Sequence, residues 1–341
     1  MTENSIEFMT DHIPEPGELY EIADGVLWVR MPLPYQLDHI NLWLIEDDDG
    51  WTLVDAGINN TQTMDIWRDI FGRLLKDKKL NRLICTHGHP DHMGLAGWIC
   101  REWDAELVTS FGEWAWGRIL SLGGTNEPDV YSKFYHRAGC NKTQIDYISH
   151  HVLSVKELYT LVPQAFHHIR DGEIIDIGGK DWQVIVGRGH SFEHVCLYCE
   201  SLDVLIAGDQ ILPKITPNIL LHGHDAKSDP LREFIESIES FRHLPETVKV
   251  LPSHNRPFIG LHTRLDEYDV HHEERLEDAF RACNGGTTGL EIAQKLFDRE
   301  LDRHQLFFAL GEALSHIRML ETEGRITRSE REDGTLIFAP V

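Results

Sequence analysis

The length and charge of the chain limit the classes of protein to which it can belong. Its 341 residues suffice for one large domain and a small second one, and no stretch approaches the roughly 20 apolar residues that span a bilayer. A formal net charge of −24 repels phosphate backbones and anionic membranes at long range, so neither nucleic acid nor a membrane is an expected partner.

Cysteine and histidine usage gives two further expectations. Six cysteines spread over the chain are too sparse for a disulfide framework, and residues 1–16 lack the basic start and apolar run of a secretory signal. We therefore expect a cytoplasmic protein. The 21 histidines, several of them in tight clusters, are a reason to look for a metal site.

The first third of the chain predicts strands and helices joined by short turns. Two apolar runs separated by an Asp-Asp-Asp-Gly turn at 47–50 indicate a hairpin, and a later segment has helical periodicity. The predicted elements are strands at 40–45, 51–54, 82–85 and 106–109 and helices at 64–75 and 91–103.

Residues 111–170 differ from their surroundings because they are rich in Trp, Tyr and Phe and have helical patches between turn residues. We interpret this segment as a helical insertion. A helix is expected at 230–243, with Ser228 as its N-cap. Further strands are predicted at 173–177, 182–186, 195–199, 204–207 and 248–251.

The pattern becomes helical from residue 262 to the C-terminus. Three helical stretches are predicted, and Gly324 ends the last of them as a C-terminal glycine does. A hairpin around Asp333 and Gly334 follows. This order predicts a small winged-helix-like domain at 262–341 after a larger domain at 1–261. The helices are predicted at 264–283, 290–299 and 303–323, and the hairpin at 325–338.

The strongest chemical signal is the loop at residues 86–92, which reads Thr-His-Gly-His-Pro-Asp-His and follows a short apolar strand. Its three imidazoles and one carboxylate are the usual ligands of zinc and similar divalent ions. One ion cannot easily take all four ligands from so short a loop, whereas two adjacent ions can share them. The loop therefore predicts a binuclear site that includes His87, His89, Asp91 and His92.

A binuclear site needs further ligands, and the chain offers them at the ends of predicted strands. His190, Asp209 and His254 each follow an apolar strand at the point where it meets a loop. Each of these residues alone is a weak signal. Together with the loop at 86–92 they form a coherent ligand set.

These motifs occur in the order of those in the metallo-β-lactamase fold superfamily, which the chain resembles from about residue 22 to residue 255. Residues 54–57, Val-Asp-Ala-Gly, look like the family's first motif, and the loop at 86–92 looks like the second. His190, Asp209 and His254 match the third, fourth and fifth. The resemblance implies an α+β fold, an αββα sandwich of two packed sheets with helices outside and the site along one edge.

The resemblance also implies a role for each residue of these motifs. The implied ligands are His87, His89 and His190 for one ion, Asp91, His92 and His254 for the other, and Asp209 as a bridge between the two. Asp55 would support the site from behind the ligands, where such groups change metal affinity or activity by roughly 10–100-fold.

Two positions bear on the branch of the family. The antibiotic-degrading members typically have cysteine or serine where this chain has Asp209. A bridging aspartate at this position resembles instead the glyoxalase II, lactonase and ribonuclease Z branches. Residues 189–194 read Gly-His-Ser-Phe-Glu-His, whereas the family's common motif is Gly-His-Thr-Pro-Gly-His. Both histidines are kept, and Phe192 and Glu193 replace the Pro-Gly turn. This departure bears on substrate specificity rather than on the ligand set.

The chemistry expected of such a site is hydrolysis. Two divalent ions roughly 3.5–4 Å apart can share a water, lower its pKa from about 15.7 toward about 7 and polarise the substrate oxygen. Asp91 would orient the resulting hydroxide and carry its proton besides binding metal, and Asp55 would fix a ligand or an adjacent loop. Zinc is the default ion, although Fe or Mn tolerates the same nitrogen and oxygen ligands.

The leading functional hypothesis is hydrolysis of a thioester or lactone of a small molecule, favoured by Asp209 and by the aromatic insertion. The alternative is a metal-dependent phosphodiesterase or ribonuclease, because a similar C-terminal domain accompanies an endoribonuclease branch of the family. Against it, residues 262–341 contain ten Lys and Arg and seventeen Asp and Glu, whereas nucleic-acid modules usually carry a basic face. A DNA-binding regulator and an iron-based oxygenase or oxygen reductase stay open as further hypotheses.

The insertion at 111–170 has two interpretations. It lies between the second and third motifs, so it could cover the metal site as a lid. It could equally be a helical cap that packs on the core or on the second subunit of a homodimer.

Overall fold

The computed structural model describes residues 5–123, 128–297 and 303–341 of the chain. Within that part, contacts group the residues into two compact units. The first unit contains 5–123, 155–217 and 240–264, and the second contains 128–154, 218–239, 265–297 and 303–341. Each unit is therefore built from separate stretches of sequence, and the segment 111–170 contributes to both.

The strands are numbered β1 to β16 in chain order. β1 to β8 are Glu7–Phe8, Tyr20–Ala23, Val26–Pro32, His39–Asp47, Gly50–Val54, Lys79–Ile84, Glu106–Thr109 and His167–His168. β9 to β16 are Ile174–Ile177, Lys180–Gly187, His194–Cys199, Val204–Gly208, Lys249–Pro252, Phe258–Ile259, Ile326–Glu330 and Leu336–Pro340. Each strand predicted from the sequence overlaps one of these, so those predictions are confirmed.

The helices are numbered α1 to α10 in chain order. They are Thr61–Leu74, Pro90–Met93, Ala96–Glu102, Phe111–Ser121, Pro128–Arg137, Lys142–Ser154, Pro230–Ile238, Leu261–Ala282, Gly289–Leu296 and Arg303–Thr322. Short 3-10 helices lie at Val155–Leu158, Glu200–Leu202, Gly223–Asp225 and Glu239–Phe241. In the described ranges, no helix combines the length and the hydropathy that a bilayer span requires.

Two seven-stranded sheets form the centre of the first unit. One has the strand order β2-β3-β4-β5-β6-β7-β8 and the other β1-β14-β13-β12-β11-β10-β9. Side chains from the facing sides of both sheets share one buried core, which includes Trp28, Trp43 and Trp182. Alternate residues of a strand point to opposite faces, so the two sheets pack face to face around these residues. The predicted α+β class with a sandwich of two sheets is confirmed.

A second core covers the other face of the sheet that contains β4 and β5. Helix α1 contributes Trp67, Ile70 and Phe71, which recur at helical spacing and are buried there. The helix begins where Asn60 Oδ1 accepts the N–H of Thr63 at 2.8 Å, an N-cap that satisfies one otherwise free donor. The helix predicted at 64–75 is therefore confirmed, with a start three residues earlier.

The single helix predicted at 91–103 is wrong, because the segment forms two short helices, α2 and α3. The helical hydrogen bonding is interrupted between α2 and α3, where the N–H of Leu95 donates to Gly57 O at 2.9 Å. Gly94 packs against backbone at this point, since a Cβ there would lie 2.6 Å from Leu158 O and 2.9 Å from Gly57 O. The break seats the start of α3 against the loop that follows β5.

The helix predicted at 230–243 needs two corrections. Its N-cap is Asp229 rather than Ser228, whose Oγ donates instead to Asp225 O at 2.8 Å. Pro230 occupies the first turn, a position where its missing N–H costs nothing. The helix ends at Ile238, and a 3-10 turn follows it.

Parallel pairing determines where the chemically important loops lie. β5 pairs with β6 in parallel, with Val54 opposite Ile84, and β12 pairs with β13 in parallel, with Gly208 opposite Pro252. The carboxyl ends of parallel neighbours meet at the same edge of a sheet. The N–H of Val195 donates to a backbone carbonyl of the loop after β6, which ties the two sheets together near these ends.

The second unit contains α5, α6, α7, most of α8, α9, α10 and the hairpin of β15 and β16. The order helix, helix, helix, hairpin predicted for the C-terminal segment is found. Thr288 and Glu291 form a capping box at the start of α9, since each side chain accepts the other residue's backbone N–H. Helix α9 ends at Leu296, and the last positions predicted for it, 298 and 299, lie outside the described residues.

Candidate metal centre

Five strand ends supply the predicted site residues. Asp55 directly follows β5, and the loop at 86–92 comes shortly after β6. His190, Asp209 and His254 come after β10, β12 and β13. The structure brings all eight predicted residues into one cluster at this edge of the sandwich, and most of their side chains are buried.

The first group of ligand-type atoms consists of three imidazoles. His87 Nε2 lies 2.8 Å from His89 Nδ1 and 3.2 Å from His190 Nε2. His87 is fully buried. The three ring nitrogens therefore converge on a single small volume, as the ligands of one ion do.

The second group combines one carboxylate with two imidazoles. Asp91 Oδ2 lies 3.7 Å from His92 Nε2 and 3.6 Å from His254 Nε2. The side chain of Asp91 is 21% exposed, whereas those of His92 and His254 are 0% and 3% exposed. Asp91 is thus the member of this group that faces outward.

Asp209 lies between the two groups. Its Oδ2 is 3.5 Å from His190 Nε2, on the side of the first group. Its Oδ1 is 3.3 Å from His254 Nε2 and 3.6 Å from His92 Nε2, on the side of the second. One carboxylate therefore contributes one oxygen to each side.

The chemistry of these atoms fits divalent cations. His92 Nε2 and Asp209 Oδ1 are buried, and neither has a hydrogen-bond partner among the described residues. A buried polar atom left without a partner costs about 1–3 kcal/mol. Within each ligand group the candidate atoms lie within 4.8 Å of one another. Cations shared by imidazole nitrogens and carboxylate oxygens would satisfy both orphaned atoms.

Asp55 holds the loop at 86–92 and one of its histidines. Its Oδ1 accepts the N–H of Thr86 at 2.7 Å, and its Oδ2 accepts from Thr86 Oγ1 and from His92 Nδ1, each at 2.8 Å. A proton on His92 Nδ1 leaves the Nε2 lone pair directed at the cluster. Asp55 therefore orients His92 without itself belonging to a ligand group.

The two groups differ in their electrostatics. Burial, reinforced by neighbouring imidazoles, holds the pKa of His87 well below its usual range, so its ring is neutral and able to ligate. Burial also acts to lower the pKa of His92, but the charges of Asp55, Asp91 and Asp209 outweigh it and raise that pKa well above its usual range. Without a metal, a proton therefore supplies the positive charge that these carboxylates require.

His194 supports the centre but belongs to neither ligand group. Its Nε2 accepts the N–H of Asp209 at 3.0 Å, which places the ring proton on Nδ1. The ring stacks on that of His87 with the centroids 4.8 Å apart, and burial holds its pKa well below the usual range. The sequence analysis recognised His194 as a histidine of the family's motif but assigned it no role. Its position four residues after His190 was the signal that could have indicated one.

Residues at the start of β4 hold the loop that carries His254, and sequence reasoning missed them. His254 Nδ1 donates to the carbonyl of His39 at 2.9 Å, which turns Nε2 toward Asp209. Asn41 Nδ2 donates to the carbonyls of Pro252 and Asn255 at 2.9 Å and 2.8 Å. These partners are more than 200 residues apart in the sequence, so no local motif marks them.

Two family models match the chain. One, described as Metallo-beta-lactamase superfamily, matches residues 35–254 and so contains the loop at 86–92, His190, Asp209 and His254. The other, described as Metallo-beta-lactamase-like, C-terminal domain, matches residues 276–341. The "Probable metallo-hydrolase YqjP" of Bacillus subtilis (strain 168) is 24% identical over 333 residues, which are 93% of this chain and 98% of that protein.

Two solved structures are similar over nearly the whole chain. A beta-lactamase domain protein from Burkholderia ambifaria is 35% identical, with a TM-score of 0.91 and a match over 98% of each chain. The metallo-beta-lactamase family protein TTHA1429 from Thermus thermophilus is 26% identical, with a TM-score of 0.80, over 93% of this chain and 99% of that one. The similarity therefore extends beyond the sandwich into the C-terminal segment.

Proposed function

Since the chain belongs to the metallo-beta-lactamase superfamily and is a metal-dependent hydrolase, we propose that it cleaves a thioester or a lactone of a small molecule with two divalent ions. The observation that carries this proposal is the convergence of seven ligand-type side chains from four loops at one sheet edge. A site with four ligands from one loop and three from elsewhere has enough donors for two ions rather than one.

We assign the ligands from three overlapping sets of donor atoms, in one of which Asp209 lies with His87 and His92 and so links the other two sets. The residues that would hold the ions are His87, His89 and His190 for the first, Asp91, His92 and His254 for the second, and Asp209 for both. Zinc is the ion that best matches this set of imidazole and carboxylate donors, and Fe or Mn would be accepted by the same atoms.

The bound ions would supply an activated water and a Lewis acid for the substrate oxygen. Asp91 is placed to orient that water and to carry its proton, because its side chain is the outward-facing member of the second group. Asp209 and Asp55 stay inside, where their buried carboxylates balance positive charge and fix His92 and Thr86. No serine or cysteine nucleophile is needed.

The surroundings of the first group favour a small apolar substrate. Trp116 packs against the loop at Gly88, since its Cδ1 lies 3.3 Å from the position of a Cβ on that residue. Phe192, two residues after His190, is 39% exposed and makes an edge contact with Trp116 at 5.7 Å between ring centroids. Aromatic walls with a few polar groups are typical of sites for small molecules. The net charge of −24 also disfavours a nucleic-acid substrate.

The experiment that tests this proposal is a parallel hydrolysis assay after zinc loading, with thioesters, lactones and phosphodiesters as substrates. We expect cleavage of a thioester or a lactone, and we expect the Asp91→Asn variant to lose at least about 100-fold in kcat/KM. Asp65→Asn, which changes an exposed aspartate of α1, is the matched control and should keep full activity.

Two outcomes would overturn the proposal. Failure to cleave any acyl substrate by a fully metallated protein would exclude the acyl hydrolase. Cleavage of phosphodiesters alone, lost in Asp91→Asn, would establish the phosphodiesterase instead. The C-terminal domain would then be a candidate nucleic-acid-binding module.

A further inference from the structure

We propose that Glu113 of α4 is a positioning residue that fastens the two loops carrying His87, His89 and His190 and thereby sets the metal affinity of the first group. This inference rests on the proposed function, which assigns these three histidines to one ion. It concerns a residue outside the ligand set, in a helix that none of the sequence motifs includes.

Both carboxylate oxygens of Glu113 are used by backbone donors of the two loops. Oε2 accepts the N–H of Gly88 at 2.8 Å, and Gly88 lies between His87 and His89. Oε1 accepts the N–H of Glu193 at 2.7 Å, three residues after His190. One side chain therefore joins the loop after β6 to the loop after β10.

The burial of Glu113 makes this connection rigid. The side chain has no exposure to solvent, and burial raises the pKa of its carboxyl, although the N–H groups of Glu193 and Gly88 act against that rise. A buried carboxylate has few alternative partners, so the loops cannot separate without leaving it unsatisfied.

The peptide of Gly88 is held from the other side as well. The hydroxyl of Tyr159, a buried residue, donates to Gly88 O at 2.5 Å. A Cβ on Gly88 would lie 3.0 Å from Glu113 O and 3.2 Å from Gly117 N, so α4 packs directly on this peptide. Gly88, between His87 and His89, is thus held at its N–H, at its carbonyl and at its Cα.

Glu193 also forms hydrogen bonds with residues at the start of α4. Its Oε2 accepts the N–H of Gly112 at 2.7 Å, and its carbonyl accepts from Ser110 Oγ at 2.8 Å. With its own N–H bonded to Glu113, residue 193 is tied to α4 at three points. Glu193 stands where the family's common motif has the glycine of a Pro-Gly turn, so the carboxylate contact to Gly112 belongs to this chain's departure from that motif.

The consequence for the metal group is geometric. His87 Nε2, His89 Nδ1 and His190 Nε2 belong to two loops, and only a fixed separation of these loops keeps the three nitrogens on one point. Supports of this kind typically change metal affinity by about 10–100-fold when they are removed. Glu113 holds Gly88 between His87 and His89, whereas His254 of the second group lies on a third loop.

The test is zinc binding by Glu113→Gln, measured by competition with a chromophoric chelator, together with the visible spectrum of the cobalt-loaded protein. The amide offers one acceptor and directs an NH2 group at a backbone N–H, so one loop is released. We expect the affinity for one of two ions to fall about 10–100-fold, the other ion to bind as before, and the cobalt spectrum to change.

Glu102→Gln, which changes an exposed glutamate of α3, is the matched control for the Glu-to-Gln replacement. This variant should bind both ions within about threefold of the wild type. If Glu113→Gln fails to fold by circular dichroism, Glu113→Asp is the second variant, because its shorter side chain keeps the carboxyl but cannot reach both N–H groups. Its loss of one hydrogen bond is expected to weaken one ion about fivefold.

The outcomes separate the two proposals. A wild-type protein that binds fewer than two ions would overturn the proposed function. Two ions in the wild type, with wild-type affinities and an unchanged cobalt spectrum in a folded Glu113→Gln, would overturn only the role of Glu113. Unchanged affinities in a folded Glu113→Asp would do the same where Glu113→Gln does not fold.

Discussion

Asp55 shows how much of the candidate metal centre depends on residues that are not ligands. Its backbone has φ of 64°, in the left-handed region that aspartate and asparagine tolerate better than most side chains. This conformation lets one carboxylate accept from Thr86 N–H, Thr86 Oγ1 and His92 Nδ1. The first sequence motif identifies the residue, and the hydrogen bonds give the physical reason for it.

The substitution Asp55→Asn tests that role with little change in shape. Asparagine keeps the size and the backbone tolerance but replaces one acceptor oxygen by a donor, so at least one of three hydrogen bonds is lost. We expect the affinity for the ion of the second group to fall about 10–100-fold in a chelator competition. Asp65→Asn is the control, and an unchanged affinity in Asp55→Asn would contradict this account.

Gly208 provides a second test at the residue scale. Its φ is 53°, and a Cβ there would lie 2.6 Å from His194 Nε2 and 3.2 Å from Thr86 Cβ. We expect Gly208→Ala to lower the free energy of unfolding by roughly 1–3 kcal/mol and to reduce hydrolysis at least tenfold, because it displaces Asp209.

Gly72→Ala is the matched control for that substitution. Gly72 lies in α1 with open space around its Cα, so alanine should stabilise the protein by about 0.5–1 kcal/mol. Urea unfolding measures both variants. A Gly208→Ala protein as stable and as active as the wild type would show that the contact with His194 does not fix Asp209.

The candidate ligands and Asp55 lie in local sequence patterns, whereas the other residues that support the site do not. Three imidazoles and a carboxylate in the loop at 86–92 form a local pattern, and the remaining ligands follow strands that can be recognised by their apolar runs. His39, Asn41 and Tyr159 act through partners far away in the sequence. Such pairings depend on the packed fold, so composition and spacing do not reveal them.

At the scale of elements, periodicity predicted most buried segments better than their ends, although the largely buried strand β3 was not among the predictions. Apolar residues continue at helical spacing from α2 into α3, so the pattern favoured one helix across Gly94. The break depends on a hydrogen bond from Leu95 to Gly57, which lies beyond β5 in another part of the chain. The two-residue strands β1, β8 and β14 were missed for the same reason, since each exists only through pairing with its neighbour.

Helix α10 carries a buried histidine, His316, that makes the stability of the folded chain depend on pH. Burial lowers the pKa of His316 to about 4, partly opposed by the hydrogen bond from its Nδ1 to Glu312 O. An unfolded histidine has a pKa near 6.5, so the unfolded chain takes up the proton first as the pH falls. The stability supplied by neutral His316 is therefore present above about pH 6.5 and is lost as the pH falls toward 4.

The substitution His316→Met should remove that response. We expect the wild type to lose up to about 3 kcal/mol more stability than the variant between pH 7 and pH 4, measured by urea unfolding with chelator present. Burial raises the pKa of Glu312, which contributes the opposite trend in both proteins and cancels in the comparison. His150→Met on α6 is the control, and identical pH profiles for wild type and His316→Met would contradict the assignment.

At the scale of the whole molecule, binding of metal and stability should be linked. Ions that bind only the folded chain stabilise it by about 2.7 kcal/mol when their concentration is 100 times Kd. We expect chelator to lower the Tm of the wild type and to leave that of a His87→Asn, His254→Asn double variant unchanged in differential scanning calorimetry.

The two units are another property of the whole molecule that the sequence indicated only in part. The change to helical pattern at residue 262 agrees with a C-terminal segment that has its own family model at 276–341. The second unit also takes in 128–154 and 218–239, which are separated from that segment in the sequence. Association of such distant stretches depends on tertiary contacts that periodicity does not report.

Zinc stoichiometry in the wild type and in His254→Asn tests most directly whether the seven side chains hold two ions. Equilibrium dialysis followed by elemental analysis should give two zinc ions per wild-type chain and one per variant chain, because His254 belongs only to the second group. One ion in both proteins, or none in the wild type, would contradict the account.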